Sequence, residues 1–266
     1  MRGNGTQESP YIPENWEEFV EAVGIKDAVV SLPESGGTFN MNQIAPDGFE
    51  DSIYVRCAVI NGNNWIIQSP RNLSFYFPED MKKIHTVNQL HILSAYSDIH
   101  SDKRILLRGY VYRLNKCKIS GEFSTGRYPV FQAGSPTWDE TRYYNTLYRC
   151  GITAEITGDT RNPFGEQLEF CDVYADLTAS TASLSPWFTF CYRLFDSFVY
   201  IDDPDDRFQA DEINSHNRSI VISSSDRCWL YPNNYNHEIR TDPEHLKDAQ
   251  WLKKNGFRTM KVIKNG

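Results

Sequence analysis

Cysteine, histidine and carboxylate side chains are where this sequence could do chemistry. Six cysteines, at positions 57, 117, 150, 171, 191 and 228, could act as thiolate nucleophiles, pair as disulfides or bind zinc. Zinc sites need closely spaced ligands such as Cys-x-x-Cys, which no pair here provides, and His216 stands alone in its segment. Three disulfides would suit a small exported domain, whereas 266 residues can bury a core without them. No Ser or Cys lies in a Gly-x-Ser-x-Gly context, and Ser35-Gly36-Gly37 lacks the Lys-Ser/Thr of a phosphate loop. Histidines 85, 91, 100, 216, 237 and 245 are scattered. Among the acids, Asp202-Asp203-Pro204-Asp205-Asp206 is the densest group. It offers oxygen ligands, but without the Asp-x-Asn-x-Asp-Gly spacing of a calcium loop, and a charged turn around a proline explains it equally well. Asp159, Glu166, Asp172 and Asp176 could line an outer face. Inverting glycoside hydrolysis needs two carboxyl groups held apart with room for water, and such a pair leaves no local motif. The residues therefore assign no catalytic, cofactor-binding or metal-binding position.

The cysteines have a different regularity. Leu114-Asn-Lys-Cys117-Lys-Ile119, Leu147-Tyr-Arg-Cys150-Gly-Ile152 and Leu168-Glu-Phe-Cys171-Asp-Val173 repeat one pattern. Phe188-Thr-Phe-Cys191-Tyr-Arg193 and Tyr54-Val-Arg-Cys57-Ala-Val59 follow it more loosely. Val87-Asn-Gln-Leu90-His-Ile92 fits with Leu in place of Cys, and Ile213-Asn-Ser-His216-Asn-Arg218 fits weakly with His. From 117 to 150, 150 to 171 and 171 to 191 the steps are 33, 21 and 20 residues, the scale of one solenoid coil with loops of variable length. Alternation such as Cys150, Ile152, Ala154 and Ile156 turns every second side chain inward. The cysteines should then form a buried, reduced column of core thiols. On that expectation Cys171→Ser costs about 1–3 kcal/mol, because a hydroxyl is placed where partners are lacking.

Other elements complete the stack. Residues 1–10 read as a flexible arm, and 11–52 as a cap helix with the first strands. In that helix Trp16, Phe19, Val20 and Val23 share one face behind Pro13, and Gly24 ends it. Val29, Val30 and Leu32 suggest a strand before Pro33. Residues 53–60 read as one strand, Asn61-Gly62 as a turn and Trp65-Ile66-Ile67 as the next strand. Coils occupy 53–240, with insertions at 97–104, 134–142 and 202–211. Residues 241–266 close the far end with a helix, opened by the capping box Thr241-Asp-Pro-Glu244 and stopped at Gly256. Trp138 and the turn from Tyr231 to Tyr235 could stack on sugar rings or on a neighbouring subunit.

A net charge of −8 and a pI near 5.3 argue against a nucleic-acid surface, since the basic residues form no stripe. No apolar run is long enough to cross a bilayer, and residues 1–10 lack the apolar core of a signal peptide.

The segments Trp-x-x-Phe-Val-x-Ala-Val at 16–23, Met-Asn-x-Ile-Ala-Pro-x-Gly at 41–48 and Ile-Asn-Gly-Asn at 60–63, with the recurring Cys-x-Ile/Val coils, resemble right-handed parallel β-helix virion proteins of phages and prophages of gut bacteria. The ending His245-Leu-Lys-Asp-Ala-Gln-Trp-Leu-Lys-Lys-Asn-Gly-Phe257 is similar to one common among them. A leucine-rich repeat would need more leucines and a tighter period. The resemblance implies an all-β, right-handed parallel β-helix with short helical caps at both ends. It implies a non-enzymatic structural component of a virion, in tail, neck, fibre or head decoration. Its partners would be other virion proteins and copies of itself, with a surface glycan as a further candidate, neither nucleic acid nor membrane, and no cofactor. A glycan-binding or glycan-cleaving tailspike module is the alternative.

Overall fold

The computed structural model of the chain describes residues 1–40, 52–69, 74–78, 84–97, 107–109, 112–124, 131–133, 146–157, 164–179, 191–203, 213–224, 228–231, 239–241, 249–254 and 257. After the helix α1 (Trp16–Gly24) the chain runs in coils of three short strands. The first coil holds β1 (Val29–Ser31), β2 (Thr38–Asn40) and β3 (Ser52–Tyr54), and the second β4 (Val59–Asn61), β5 (Ile66–Ser69) and β6 (Ser74–Phe77). The third holds β7 (His85–Asn88), β8 (His91–Ser97) and β9 (Leu107–Gly109), and the fourth β10 (Tyr112–Asn115), β11 (Lys118–Ser124) and β12 (Phe131–Ala133). β13 (Thr146–Tyr148) and β14 (Gly151–Ile156) begin the fifth.

From β1 to β12 each strand pairs in parallel with the strand three places later, giving three rows. The chain is therefore all-β in class, with strands stacked in parallel sheets in a solenoid-like arrangement. β15 (Phe164–Glu169) changes the geometry: Phe164 pairs with Phe131 of the third row, while Gln167 to Glu169 pair with Thr146 to Tyr148 of the first. The two rows merge from here, so later coils have two strands each: β16 (Asp172–Asp176) completes this coil, and β17 (Cys191–Phe195) with β18 (Phe198–Asp202), then β19 (Ile213–Asn217) with β20 (Ser219–Ser223), follow. β21 (Cys228–Tyr231) and β22 (Ile239–Thr241) extend the second row antiparallel.

The sequence dictates this stack through its apolar columns. Val30, Ile60, Val87, Leu114, Leu147, Leu168 and Leu194 lie in register along the first row, all buried. Phe39, Ile67, Ile92, Ile119, Ile152, Val173, Val199 and Val221 do so along the second. A one-residue slip would turn either column to solvent.

The ends depart from expectation in several ways. α1 does cap the interior: Trp16, Phe19, Ala22 and Val23 belong to the same continuous core as the coils. Val20 is exposed, and Ala22 takes the inward place expected of it. Asn15 accepts a hydrogen bond from the Glu18 amide, which caps the helix, and Gly24 is its last residue. The expected flexible arm is instead folded onto the first coil. Arg2 bridges Ile12, Tyr11 bridges Val30, and Gly5 accepts from the Val29 amide at 2.8 Å. Residues 53–60 are two strands rather than one, because the chain turns a corner between β3 and β4.

The closing helix α2 (Ala249–Lys254) does not cover the open end of the core. Leu252 and Phe257 join Ile220 and Cys228 in a second apolar cluster, with Phe198 and Ile222 packed against it. Ile220 and Ile222 flank the inward Val221, so α2 lies on the outer side of the sheet. Thr241, expected to cap it, instead ends β22, while 242–248, nearly all of the insertions at 97–104, 134–142 and 202–211, Trp138 and residues 232–235 lie outside the described residues.

Phe19 is fully buried, with its ring centroid 5.5 Å from those of both Trp16 and Phe39. Phe19→Ala should cost about 3–5 kcal/mol in denaturant unfolding, whereas Glu17→Ala, on the exposed face, should stay within about 0.5 kcal/mol.

Candidate functional site

Cys57, Cys117, Cys150 and Cys171 occupy corners rather than strands, whereas Cys191 and Cys228 open β17 and β21. Between the first and second rows every coil from the third onward runs strand, one residue with positive φ, one inward residue, strand. The positive-φ residues are Gln89, Lys116, Arg149, Phe170, Asp196 and Arg218, with φ between 45° and 53°. The inward residues that follow are Leu90, Cys117, Cys150, Cys171, Ser197 and Ser219, all buried. A left-handed residue costs an L-amino acid roughly 1–2 kcal/mol, and the hydrogen bonds it permits offset that cost. The Gln89, Lys116, Arg149 and Phe170 amides each donate at 2.9 Å to the strand-end carbonyl of the next coil, those of Asn115, Tyr148, Glu169 and Phe195.

The inward side chains form a second ladder. Cys117 Sγ donates to Val87 O at 3.4 Å, Cys150 Sγ to Leu114 O at 3.5 Å and Cys171 Sγ to Leu147 O at 3.0 Å. Ser197 Oγ lies 3.3 Å from Leu168 O and Ser219 Oγ 3.0 Å from Leu194 O, in the same relation. The Cys171 amide donates to Ser197 Oγ at 3.0 Å and the Ser197 amide to Ser219 Oγ at 3.1 Å.

Cys191 is not in this column. It starts β17, pairs with Phe164 and Ile213, and sits six residues before the corner serine. The repeat unit of that coil is Leu194-Phe-Asp-Ser197-Phe-Val199, with Ser for Cys, and in the next coil Ser219, not His216, holds the place. Cys57 lies at the other corner, between β3 and β4, where its carbonyl is 2.8 Å from His85 Nδ1. Burial pushes the Cys57 and Cys228 thiols up to about 12 and raises Cys191 further. Cys150 is raised by hydrogen bonding with Cys117 and Cys171, its neighbours in the column, and by burial. All six cysteines are buried free thiols, and the raised ones are poor thiolate nucleophiles at neutral pH.

Beside the cysteine corner runs an asparagine ladder that sequence reasoning missed. Asn88 Nδ2 donates to Asn61 Oδ1 at 3.0 Å, Asn115 Nδ2 to Asn88 Oδ1 at 2.9 Å, and Arg113 Nε to Asn115 Oδ1 at 2.9 Å. Its signal was present as an apolar residue followed by Asn before three successive corners.

Outside, the second row brings carboxylates together. Glu155, Asp176 and Asp202 are in register on β14, β16 and β18, so neighbours are about 4.8 Å apart at the backbone. Next to them Tyr174 and Tyr200 stack, centroids 5.5 Å apart and planes 4° apart, and Tyr174 Oη donates to Asp202 Oδ2 at 3.4 Å. Burial, then the charges of Asp202 and Asp176, raise the Tyr174 phenol. Of the acids singled out in the sequence, Asp172 and Asp176 face outward on this sheet. Asp203 is fully buried, its amide donating to Ser224 Oγ at 2.9 Å. Asp159, Asp205 and Asp206 lie outside the described residues, as does the side chain of Glu166. His85 faces the interior, while His91 faces outward with Nε2 3.3 Å from Ser120 Oγ and its pKa lowered by burial and by Lys118.

Among the described residues no group of three or more His, Cys, Asp or Glu side chains could hold a metal ion, and no helix is long and apolar enough to cross a membrane. No protein-family model, curated protein or solved structure matches the chain.

The ladder reverses the expectation for Cys171→Ser. Ser197 and Ser219 already fill equivalent corners, and Leu147 O stands ready as acceptor, so Cys171→Ser should cost no more than about 1 kcal/mol. Ser197→Ala should cost about 1–3 kcal/mol, because it orphans the buried Cys171 amide. Chemical denaturation of both variants checks the order.

Proposed function

We propose that the chain is a right-handed parallel β-helix that serves as a non-enzymatic structural component of a phage virion, in tail, neck, fibre or head decoration. One observation carries this reading. The inward thiols and hydroxyls of the corner column lie within hydrogen-bonding distance of carbonyls of the preceding coil, and the neighbouring asparagine amides join coil to coil. Groups with chemical potential are thus spent on stacking, which suits a rigid spacer held among copies of itself and other virion proteins. The local resemblance to virion β-helix proteins points the same way.

A glycan-binding or glycan-cleaving spike is the second reading. Glu155, Asp176 and Asp202 favour it, since in-register carboxylates on adjacent strands fall near the separation of about 5–9 Å that glycoside hydrolysis uses. The tyrosines beside them support it less, because Tyr174 and Tyr200 turn one face each toward the other and leave fewer faces for a sugar ring.

Particles purified from a host that carries the coding sequence should contain the chain at stoichiometric level by mass spectrometry. Its absence from particles, together with polysaccharide turnover that Asp176→Asn or Asp202→Asn abolishes, would replace the structural reading with the enzymatic one.

A further inference from the structure

Where the first row turns into the second, the outer corner of the fourth and fifth coils is basic. Arg113 faces outward on β10, Lys116 holds the left-handed corner position, Lys118 opens β11, and Arg149 holds the corner of the fifth coil; all four are exposed. The Lys116 amide donates to Tyr148 O at 2.9 Å, so the two corners are one coil apart, about 4.8 Å at the backbone. Both guanidinium groups are held in place. Arg113 Cζ lies 4.7 Å from the Tyr148 ring centroid, and its Nε donates to Asn115 Oδ1 at 2.9 Å. Arg149 Cζ lies 5.2 Å from the Tyr148 centroid and 5.9 Å from that of Phe170. None of the four cations forms an ion pair with a described carboxylate, although the chain carries a net charge of −8. Farther along the same corner Arg218 is matched, by Asp196 at 2.6 Å. The outward side chains around the four cations are hydroxyls and amides: Thr86 and Thr146 flank Arg113 in register, Gln89 holds the preceding corner, and Ser120 with Thr153 continues the second row.

We propose that this corner binds a carboxylated polysaccharide lying across the fourth and fifth coils. Like charges on neighbouring strands destabilise a sheet, so anionic groups set among these four side chains relieve that repulsion. A guanidinium already oriented on an aromatic ring presents its remaining N–H groups as a fork that matches a carboxylate. Among the described residues the corner is an outward bend between two sheets. Small-molecule sites are concave, whereas charges spread along a ridge suit an extended chain that carries its own charges at intervals. The surrounding hydroxyls and amides suit a partner rich in hydroxyl groups. A protein partner would need an aromatic or apolar anchor, and the candidates, Tyr148 and Phe170, are packed edge to face at 5.7 Å and overlaid by the guanidinium groups. The same overlay removes the stacking platform that single-stranded nucleic acid uses, and four cations give a duplex few phosphate contacts. A ridge without a pocket reads charge and hydroxyls rather than one sugar, so carboxylated polysaccharides in general should bind. Binding is weak at each site, salt-sensitive, and strengthened where several copies engage one polymer. The inference goes beyond the virion reading and does not depend on it.

Calorimetric titration of the purified chain with polygalacturonate tests it. Wild type should bind at low salt and lose binding at high salt, and neutral dextran should not bind. Lys118→Gln with Arg149→Gln, and separately Lys116→Gln with Lys118→Gln, should each weaken binding about tenfold. Lys253→Gln with Lys254→Gln removes the same charge from the exposed side of α2 and should leave affinity within about twofold. Unchanged far-UV circular dichroism and melting verify folding; if loss of Arg149 unfolds the chain by uncovering Tyr148, the lysine pair, which touches neither ring, decides the matter. Polyglutamate and oligothymidylate of equal charge should bind at least about tenfold more weakly, for want of an apolar anchor and of a stacking face. No binding of polygalacturonate at low salt, an equal loss in the α2 variant, or polyglutamate or oligothymidylate bound as tightly as polygalacturonate would each overturn the proposal. Detection of the chain in particles is independent of all three, so failure here leaves the virion reading standing.

Discussion

A chain that winds inward-facing strands into coils must turn sharply at every corner without stranding a backbone amide in the apolar interior. From the fourth coil onward this chain meets that constraint, at the corner between its first two rows, with a left-handed residue followed by an inward thiol or hydroxyl. The left-handed residue sends its amide to the coil ahead, and the inward side chain reaches a carbonyl of the coil behind, as Cys171 Sγ does in donating to Leu147 O. Buried polar groups left unpaired would cost more than such a corner. The corner therefore fixes which residue of each coil lies above which, and the apolar columns inherit their register from it.

Two consequences follow for the outer surface. Strand pairs are held in register, so outward side chains also line up, and this is why Glu155, Asp176 and Asp202 stand together although 21 and 26 residues separate them. Loops leave at the other ends of the strands, so their length varies without disturbing the stack. Gly62 shows how little room the early corner leaves. A Cβ there would come within 2.7 Å of Gln89 O and 2.8 Å of Leu90 Cα.

Much of the stack was legible in the sequence because its middle corners repeat chemically: Leu114 with Cys117 and Ile119, Leu147 with Cys150 and Ile152, Leu168 with Cys171 and Val173. The cap helix was legible from its apolar spacing. The later corners were not, since Ser197 and Ser219 do the work of cysteine through an oxygen, and Cys191 offered a false match six residues early. The merging of rows at β15 leaves no local mark, for it depends on one strand reaching two neighbours. Closure by the second helix was misread because an amphipathic helix announces an apolar face without saying what covers it. The acidic column was invisible for a related reason: register across coils of unequal length is a property of the fold, not of any segment.

Native-state hydrogen exchange tests the corner account most directly. The amides of Gln89, Lys116, Arg149, Phe170, Cys171 and Ser197 lie at turns, where amides ordinarily exchange fast, yet each donates to a coil neighbour. They should exchange only with global unfolding, as slowly as the central amides of β11 and β14. Exchange of these six amides at the rate of open loops would contradict the claim that the corners hold the coils together.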